Sequence, residues 1–339
     1  MNELTHLQKN KKNFELRFNI IRAIREFFWQ NNFFEVETPQ IVRLPGQEPH
    51  LSPMPIDIHD ETKKKRRGYL HTSPEYAMKK MLAVGFENIF SICKCFRDYE
   101  SFGGLHNPEF TMIEWYRANV DFWKIMDDID LLLGQIVSGL KRDRSAQVAN
   151  FEKCERTHMR DLWKKYAKAD LDKYLEPASL RQLCIDKGYN AGENENYEDL
   201  FYRIFLNEIE SHLGRENPQI VHHYPARMAA LSKISDQEPK YAERFELYIN
   251  GIELANAFSE LTDPVEQLRR LEEEKRQREK AGKDVYDIDE EFIGALALMP
   301  PSAGIALGID RLVQVFAGCK NIDDVLVLPA SIIFKTLKH

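Results

Sequence analysis

Arginines, glutamates and aromatic residues recur in this 339-residue sequence in a grouping that suits a highly charged small molecule. Arg97 and Glu100 stand in FRDYE, and Phe110, Glu114 and Tyr116 in EFTMIEWY. Glu246, Glu253, Asn256 and Glu260 stand in FELYINGIELANAFSE, and Arg311 closes GIALGIDR. A guanidinium can neutralise charge building on a phosphate, and a pair of carboxylates offers the oxygen-only ligands that Mg²⁺ takes. Together these groups fit a nucleoside triphosphate. There is no GxxxxGK[ST] phosphate loop, which excludes that NTPase class, and no HExxH or Ser-His-Asp signature.

Elements must bring these residues together. Phe96 to Arg117 reads as a hairpin: an apolar strand entering from Ile89, a loop at Gly103-Gly104, and a returning strand. The return leg alternates, so Phe110, Met112, Glu114 and Tyr116 share one face and Thr111, Ile113, Trp115 and Arg117 the other. Asn250-Gly251 between alternating runs predicts a two-residue hairpin turn, pairing Ile249 with Ile252 and Tyr248 with Glu253. Glu246 and Glu253 are then diagonal neighbours, roughly 7–8 Å apart at the backbone. They would hold Mg²⁺, or else be two exposed glutamates on a sheet face. Asn256, Phe258 and Glu260 have the opposite parity to Glu253. One shared pocket therefore requires a bulge between Glu253 and Asn256. Gly304, Ala306 and Gly308 leave one strand face nearly bare, for a flat ligand or simply for a packed helix. Asp310 is expected to cap the next helix, with Arg311 at its start.

Composition is that of a soluble globular enzyme, 43% hydrophobic and 30% charged, with a formal charge of -7. No apolar run reaches membrane-spanning length and MNELTHLQKNKKNF is no signal peptide, so a cytoplasmic protein is expected. The five cysteines fit a reducing compartment, and the Cys93/Cys95 pair on one strand face reads as core packing. Asn13 to Asn31 has helical spacing, and FFEVETPQI reads as a strand running into Pro39. The basic run Lys63 to Arg67 sits at a hairpin tip, as a solvated turn or a contact patch for an acidic partner. Ser73-Pro74-Glu75 opens a helix. Asp121 to Leu140 is amphipathic. Residues 141–240 read as a helical insertion or cover within a single domain spanning 1–339. The helix after Asp263-Pro264 reads as solvated.

FRDYE…LHNPEFTMIEWY resembles motif 2 of the class II aminoacyl-tRNA synthetases, GIALGIDR resembles their motif 3, and FFEVETP is similar to motif 1, whose proline lies at the dimer interface in that family. HNPEFTMIEWY and ELANAFSEL are close to the lysyl enzymes. Motif 1 begins almost at the amino terminus, so an anticodon-binding domain ahead of the catalytic core is not expected. Ser73-Pro74-Glu75 and Ala306 are similar to a truncated branch, the elongation factor P–lysine ligases.

The resemblance implies an α+β fold, an antiparallel sheet flanked by helices, and a homodimer. It implies an ATP- and Mg²⁺-dependent, AMP-forming ligase that activates a lysine-type amino acid, (R)-β-lysine, and transfers it to a lysine of elongation factor P. tRNA and membrane are not expected as partners. The alternatives are a truncated lysyl-tRNA synthetase that charges tRNA, and an amide ligase with a small-molecule acceptor. By the same resemblance Arg97 and Arg311 are catalytic. The nucleotide meets Arg97, Glu100, His106, Asn107, Phe110, Glu253, Leu254, Gly308 and Arg311. The amino acid meets Ser73, Pro74, Glu75, Glu114, Tyr116, Asn256, Phe258, Glu260 and Ala306, while Glu246 and Glu253 hold the metal.

Overall fold

The computed structural model describes residues 2–142, 153–193 and 195–335. Helix α1 (Glu3–Gln30) begins well before Asn13. The Asn2 side chain caps it through the amide of Thr5, and its polar first turns are buried at His6 and Asn10. His6 hydrogen-bonds the Leu326 carbonyl, so these residues face protein rather than water. Strand β1 (Phe34–Glu35) is all that pairs of the stretch expected to run into Pro39. The chain then leaves for a small sheet of β2 (Ile41–Val42), β3 (Met54–His59) and β4 (Lys65–Leu70), ordered β2-β4-β3. Most of the basic run is neutralised on this hairpin: Lys65 and Arg67 pair with Asp57, and Arg66 with Asp60.

Helix α2 (Glu75–Ala83) leads into β5 (Asn88–Phe96) and β6 (Glu109–Ala118), the expected hairpin, and then α3 (Phe122–Arg142). The next stretch is not purely helical. It holds β7 (Glu155–His158), α4 (Met159–Leu162), α5 (Pro177–Asp186), α6 (Tyr197–Ile204) and β8 (Gln219–Pro225). Residues 143–152 of the expected insertion lie outside the described residues. The two strands extend the main sheet beyond β9 (Tyr241–Ile249) and β10 (Ile252–Ser259). Helices α7 (Pro264–Lys280) and α8 (Glu290–Leu296), strand β11 (Ser302–Gly308), and helices α9 (Ile309–Ala317) and α10 (Ala330–Ile333) complete the order.

The main sheet runs β1-β5-β6-β11-β10-β9-β8-β7. Its interior pairings are antiparallel and its two outermost pairings, β1 with β5 and β7 with β8, are parallel. This is the α+β class read from the sequence. Alternation decides which face is which. Ile113, Trp115, Ile305 and Leu307 join Phe28, Ile129 and Leu312 in the core beneath α1, α3 and α9. The opposite parity is left to form a site. A second core, around Trp163, Phe201, Phe205 and Tyr248, sits under α4 to α6.

Two sequence expectations are corrected here. Asp310 does not cap α9, whose N-cap is Gly308. Its buried carboxylate accepts from Arg17 of α1 at 2.5 Å and from the Thr111 amide of β6 at 2.8 Å. A charge-assisted knot therefore fixes the start of α9, and Arg311 with it, against the strand carrying Phe110. Helix α7 is capped by Asp263 as expected, but it is not merely solvated. Arg278, 1% exposed, donates to the carbonyls of Glu48, Leu51 and Asp284 and anchors the 44–54 loop.

Candidate active site

Strand register builds the floor. Ser91, Glu114, Ala306, Asn256 and Glu246 lie in one row across β5, β6, β11, β10 and β9. Tyr116, Gly304, Phe258 and Arg244 form the next row. Glu253 and Asn256 reach the same face because the β9–β10 register shifts between Glu253 and Ala255. This is the bulge that the parity conflict required. Over the floor lies a cavity of ≈ 500 Å³, and Arg97 and Arg311 both line it.

At one end the lining is cationic and aromatic. The Arg97 guanidinium lies 4.9 Å over the Phe110 ring, and its buried Nε has no hydrogen-bond partner. Arg311 donates to the carbonyls of Glu253 and Leu105 and lies 3.3 Å from His106 Nε2. His106 in turn meets Glu100 at 2.8 Å, and this contact, against burial, holds the Glu100 carboxyl below its usual range. Leu254 and Gly308 line the same end. Asn107 also reaches it, but its amide is committed to the chain, donating to the Glu109 carbonyl and accepting from the Ala330 amide.

The other end is acidic. Glu114 is buried and accepts from Ser73 Oγ at 2.5 Å and from the Tyr116 hydroxyl at 2.8 Å. Burial, then the nearby charge of Glu75, pushes its carboxyl well above the ordinary value. Ser73, Glu75, Asn256, Phe258 and Ala306 line this end; Pro74 and Glu260 do not. Pro74 only leads into α2. Glu260 lies just beneath, 2.5 Å from Lys79 Nζ, with its Oε1 lacking any donor. Burial raises its carboxyl to about 8 against the pull of Lys79. Gly304 is bare for a reason other than a ligand. A Cβ there would stand 2.2 Å from the Tyr116 ring and 2.7 Å from Glu260 Oε1, so the glycine makes room for the site's own side chains.

The expected metal pair is uneven. Glu253 lines the cavity, whereas Glu246 stands behind it, accepting from Arg244 at 2.8 Å, from the Tyr224 hydroxyl at 2.5 Å and from Tyr248 at 2.6 Å. Enclosure and the charge of Glu246 push the Glu253 carboxyl up, although 41% of its side chain is exposed. Each carboxylate already has an arginine neighbour, Arg244 at 2.8 Å from Glu246 and Arg311 at 3.9 Å from Glu253, and only Glu253 presents hard oxygen donors of the kind Mg²⁺ takes to the cavity.

The chain matches the family of class II tRNA synthetases (D, K and N) over residues 3–332. The chain belongs to that family. It is 38% identical over 317 residues to the elongation factor P–(R)-β-lysine ligase of Avibacterium paragallinarum, covering 91% of this chain and 92% of that one. The ligase of the same name from Hamiltonella defensa is 39% identical, with 92% and 93% covered. That of Histophilus somni is 38% identical, with 96% and 97% covered.

Sequence reasoning missed two participants. Glu48, from the loop anchored by Arg278, lines the cavity, and burial followed by Glu75 pushes its carboxyl up. Nothing in PGQEPH marks it. Lys79 is 1% exposed and stands between Glu75, at 2.6 Å, and Glu260, at 2.5 Å. Burial pulls the ammonium down, yet the two carboxylates more than offset this and keep it raised. The Glu75-to-Lys79 spacing of one helical turn was a visible signal, but such pairs are usually on the surface. Removing one partner of a buried ion pair strands the others. Lys79→Met is expected to lower unfolding free energy by about 3–5 kcal/mol in urea titrations at pH 8. The loss shrinks toward pH 5, where the Glu260 carboxyl, raised by burial to about 8, is protonated.

Proposed function

We propose that this chain is an ATP-dependent ligase that activates (R)-β-lysine as its adenylate and then joins it to a lysine side chain of elongation factor P. The observation that carries this reading is the polarity of one cavity: Arg97 and Arg311 at one end, Glu75 and Glu114 at the other, with Lys79 and Glu260 beneath. Such a cavity suits a triphosphate meeting an amino acid that bears two ammonium groups. The names of the relatives supply the acceptor.

In the first step the substrate carboxylate attacks the α-phosphorus of ATP, a phosphorus–oxygen bond forms, and pyrophosphate leaves. The carboxylate is already ionised at neutral pH, so no general base is required. Arg97 bears on the α-phosphate and Arg311 on the γ-phosphate, and Phe110 stacks on adenine once Arg97 shifts from its ring. Catalysis is then positioning and charge stabilisation. Glu253, backed by Glu246, would hold Mg²⁺, which when bound draws negative charge from the phosphates. Glu75 and Glu114 take the two ammonium groups of the substrate, with Tyr116 and Ser73 fixing Glu114. In the second step the neutral ε-amine of the acceptor lysine attacks the acyl carbon. An amide forms, AMP leaves, and the amine gives up a proton.

A homodimer belongs to the same reading. Phe18 and Trp29 of α1, Phe34 of β1 and Ile41 of β2 are large, apolar and at least half exposed, as a covered face on a second copy would require. Among the described residues no helix is long and apolar enough to cross a membrane.

Arg97→Ala is expected to slow substrate-dependent pyrophosphate exchange roughly 10²–10³-fold, the loss of one preorganised donor; exchange at the wild-type rate removes Arg97 from the chemistry. The whole reading is tested by incubating the protein with ATP, lysine isomers and purified elongation factor P. A mass gain of one β-lysyl group on the factor is expected. Charging of tRNA with no change in the factor overturns it.

A further inference from the structure

The cavity face holds a group of metal-ligating side chains that the ligase reaction does not use. Cys93 and Cys95 project from the same face of β5, beside Met112 and Phe110 of β6. Their sulfurs are 3.9 Å apart, and Cys95 Sγ is 4.0 Å from His71 Nε2. One ligand atom from each of the three lies within 4.8 Å of the others. Zn²⁺ bound to thiolate at about 2.3 Å in a tetrahedral site sets its sulfurs about 3.8 Å apart, so the sulfur pair is already at ligand spacing. The imidazole has to turn as well as move in, because the nitrogen nearest Cys95, Nε2, is the one held by the Lys94 carbonyl.

His71 is prepared for that role. The ring is 2% exposed. Its Nε2–H donates to the Lys94 carbonyl at 2.6 Å, which fixes the tautomer, and its buried Nδ1 has no partner. An imidazole held through one nitrogen by a backbone carbonyl, with the other lone pair free, is the arrangement found around protein-bound metals. We propose that His71, Cys93 and Cys95 form a binding site for a thiophilic divalent cation, Zn²⁺, with the fourth position left to solvent on the half-buried Cys93 side.

The other ligand-like cluster among the described residues, His158, His223 and Glu238, is already occupied. Arg160 sits 2.6 Å from Glu238, and the Arg160 amide donates to His158 Nδ1.

The position gives the ion a consequence. His71 directly precedes Thr72 and Ser73, and Cys95 stands two residues before Arg97. A bound ion would tie the segment that supports Glu114 to the strand that delivers Arg97.

The test is a cobalt titration of the reduced, metal-stripped full chain. Co²⁺ is expected to saturate at one equivalent, with an intense thiolate-to-cobalt charge-transfer band and tetrahedral d–d bands that Zn²⁺ abolishes by displacement. Cys93→Ser removes the charge-transfer band, while Cys154→Ser, far from the cluster in the sequence and backed by Asp130, keeps it. Absence of a saturable band in the wild-type chain overturns the proposal, as does a band that survives Cys93→Ser. Circular dichroism verifies that each variant is folded, and should Cys95→Ser fail to fold, the less buried Cys93 decides the matter.

Discussion

Glu75 and Glu260 share one buried cation, Lys79, and Glu114 feels the charge of Glu75, in a part of the molecule where water can do little to spread their charge. Ionised carboxylates leave water only when a cation or donors replace it. Lys79 answers Glu75 and Glu260, and Ser73 with Tyr116 answers Glu114, but Glu260 Oε1 still has no donor. The site is short of positive charge by design of its residues. On the proposed reading, a guest with two ammonium groups would make up that deficit, and a guest with one would do so only in part, so a preference for a diamino acid would follow from charge before any question of shape.

The same shortage explains why the sheet must be built as it is. Tyr116 reaches Glu114 only because Gly304 on the next strand has no side chain to displace the ring. Asn256 and Glu253 look into one cavity only because a single extra residue enters β10 between them. Arg311 faces Arg97 across the floor because Asp310 is tied to Arg17 and to the Thr111 amide. Each is a backbone decision that sets where a charged group ends up.

Much of this was legible in the sequence, for reasons that can be named. Period-2 alternation fixed the faces of Phe110, Glu114 and Tyr116, and the Asn250-Gly251 turn fixed the register from which the bulge followed. Local patterns could not reveal groups whose partners are distant in the chain. Asp310 looked like a cap because Arg17 lies far away in sequence. Lys79 was passed over because one of its partners, Glu260, belongs to another element. The helix was expected only from Asn13 because the residues before it, His6 and Asn10 among them, are polar, though both are buried. Strands β7 and β8 were hidden because β8 is buried along its whole length and shows no alternation. Glu246 was read as an open metal ligand because nothing local announces the tyrosines that close around it.

The most direct test of the charge deficit is calorimetry of (R)-β-lysine binding in buffers of differing ionisation enthalpy at pH 7. Burial raises the Glu260 carboxyl to about 8 and pushes that of Glu114 up, and an arriving ammonium favours their ionised forms. The account predicts net proton release on binding, affinity that rises from pH 6 to pH 8, and a smaller release with Glu114→Gln. Binding without proton release, at an affinity that Glu114→Gln leaves unchanged, would contradict it.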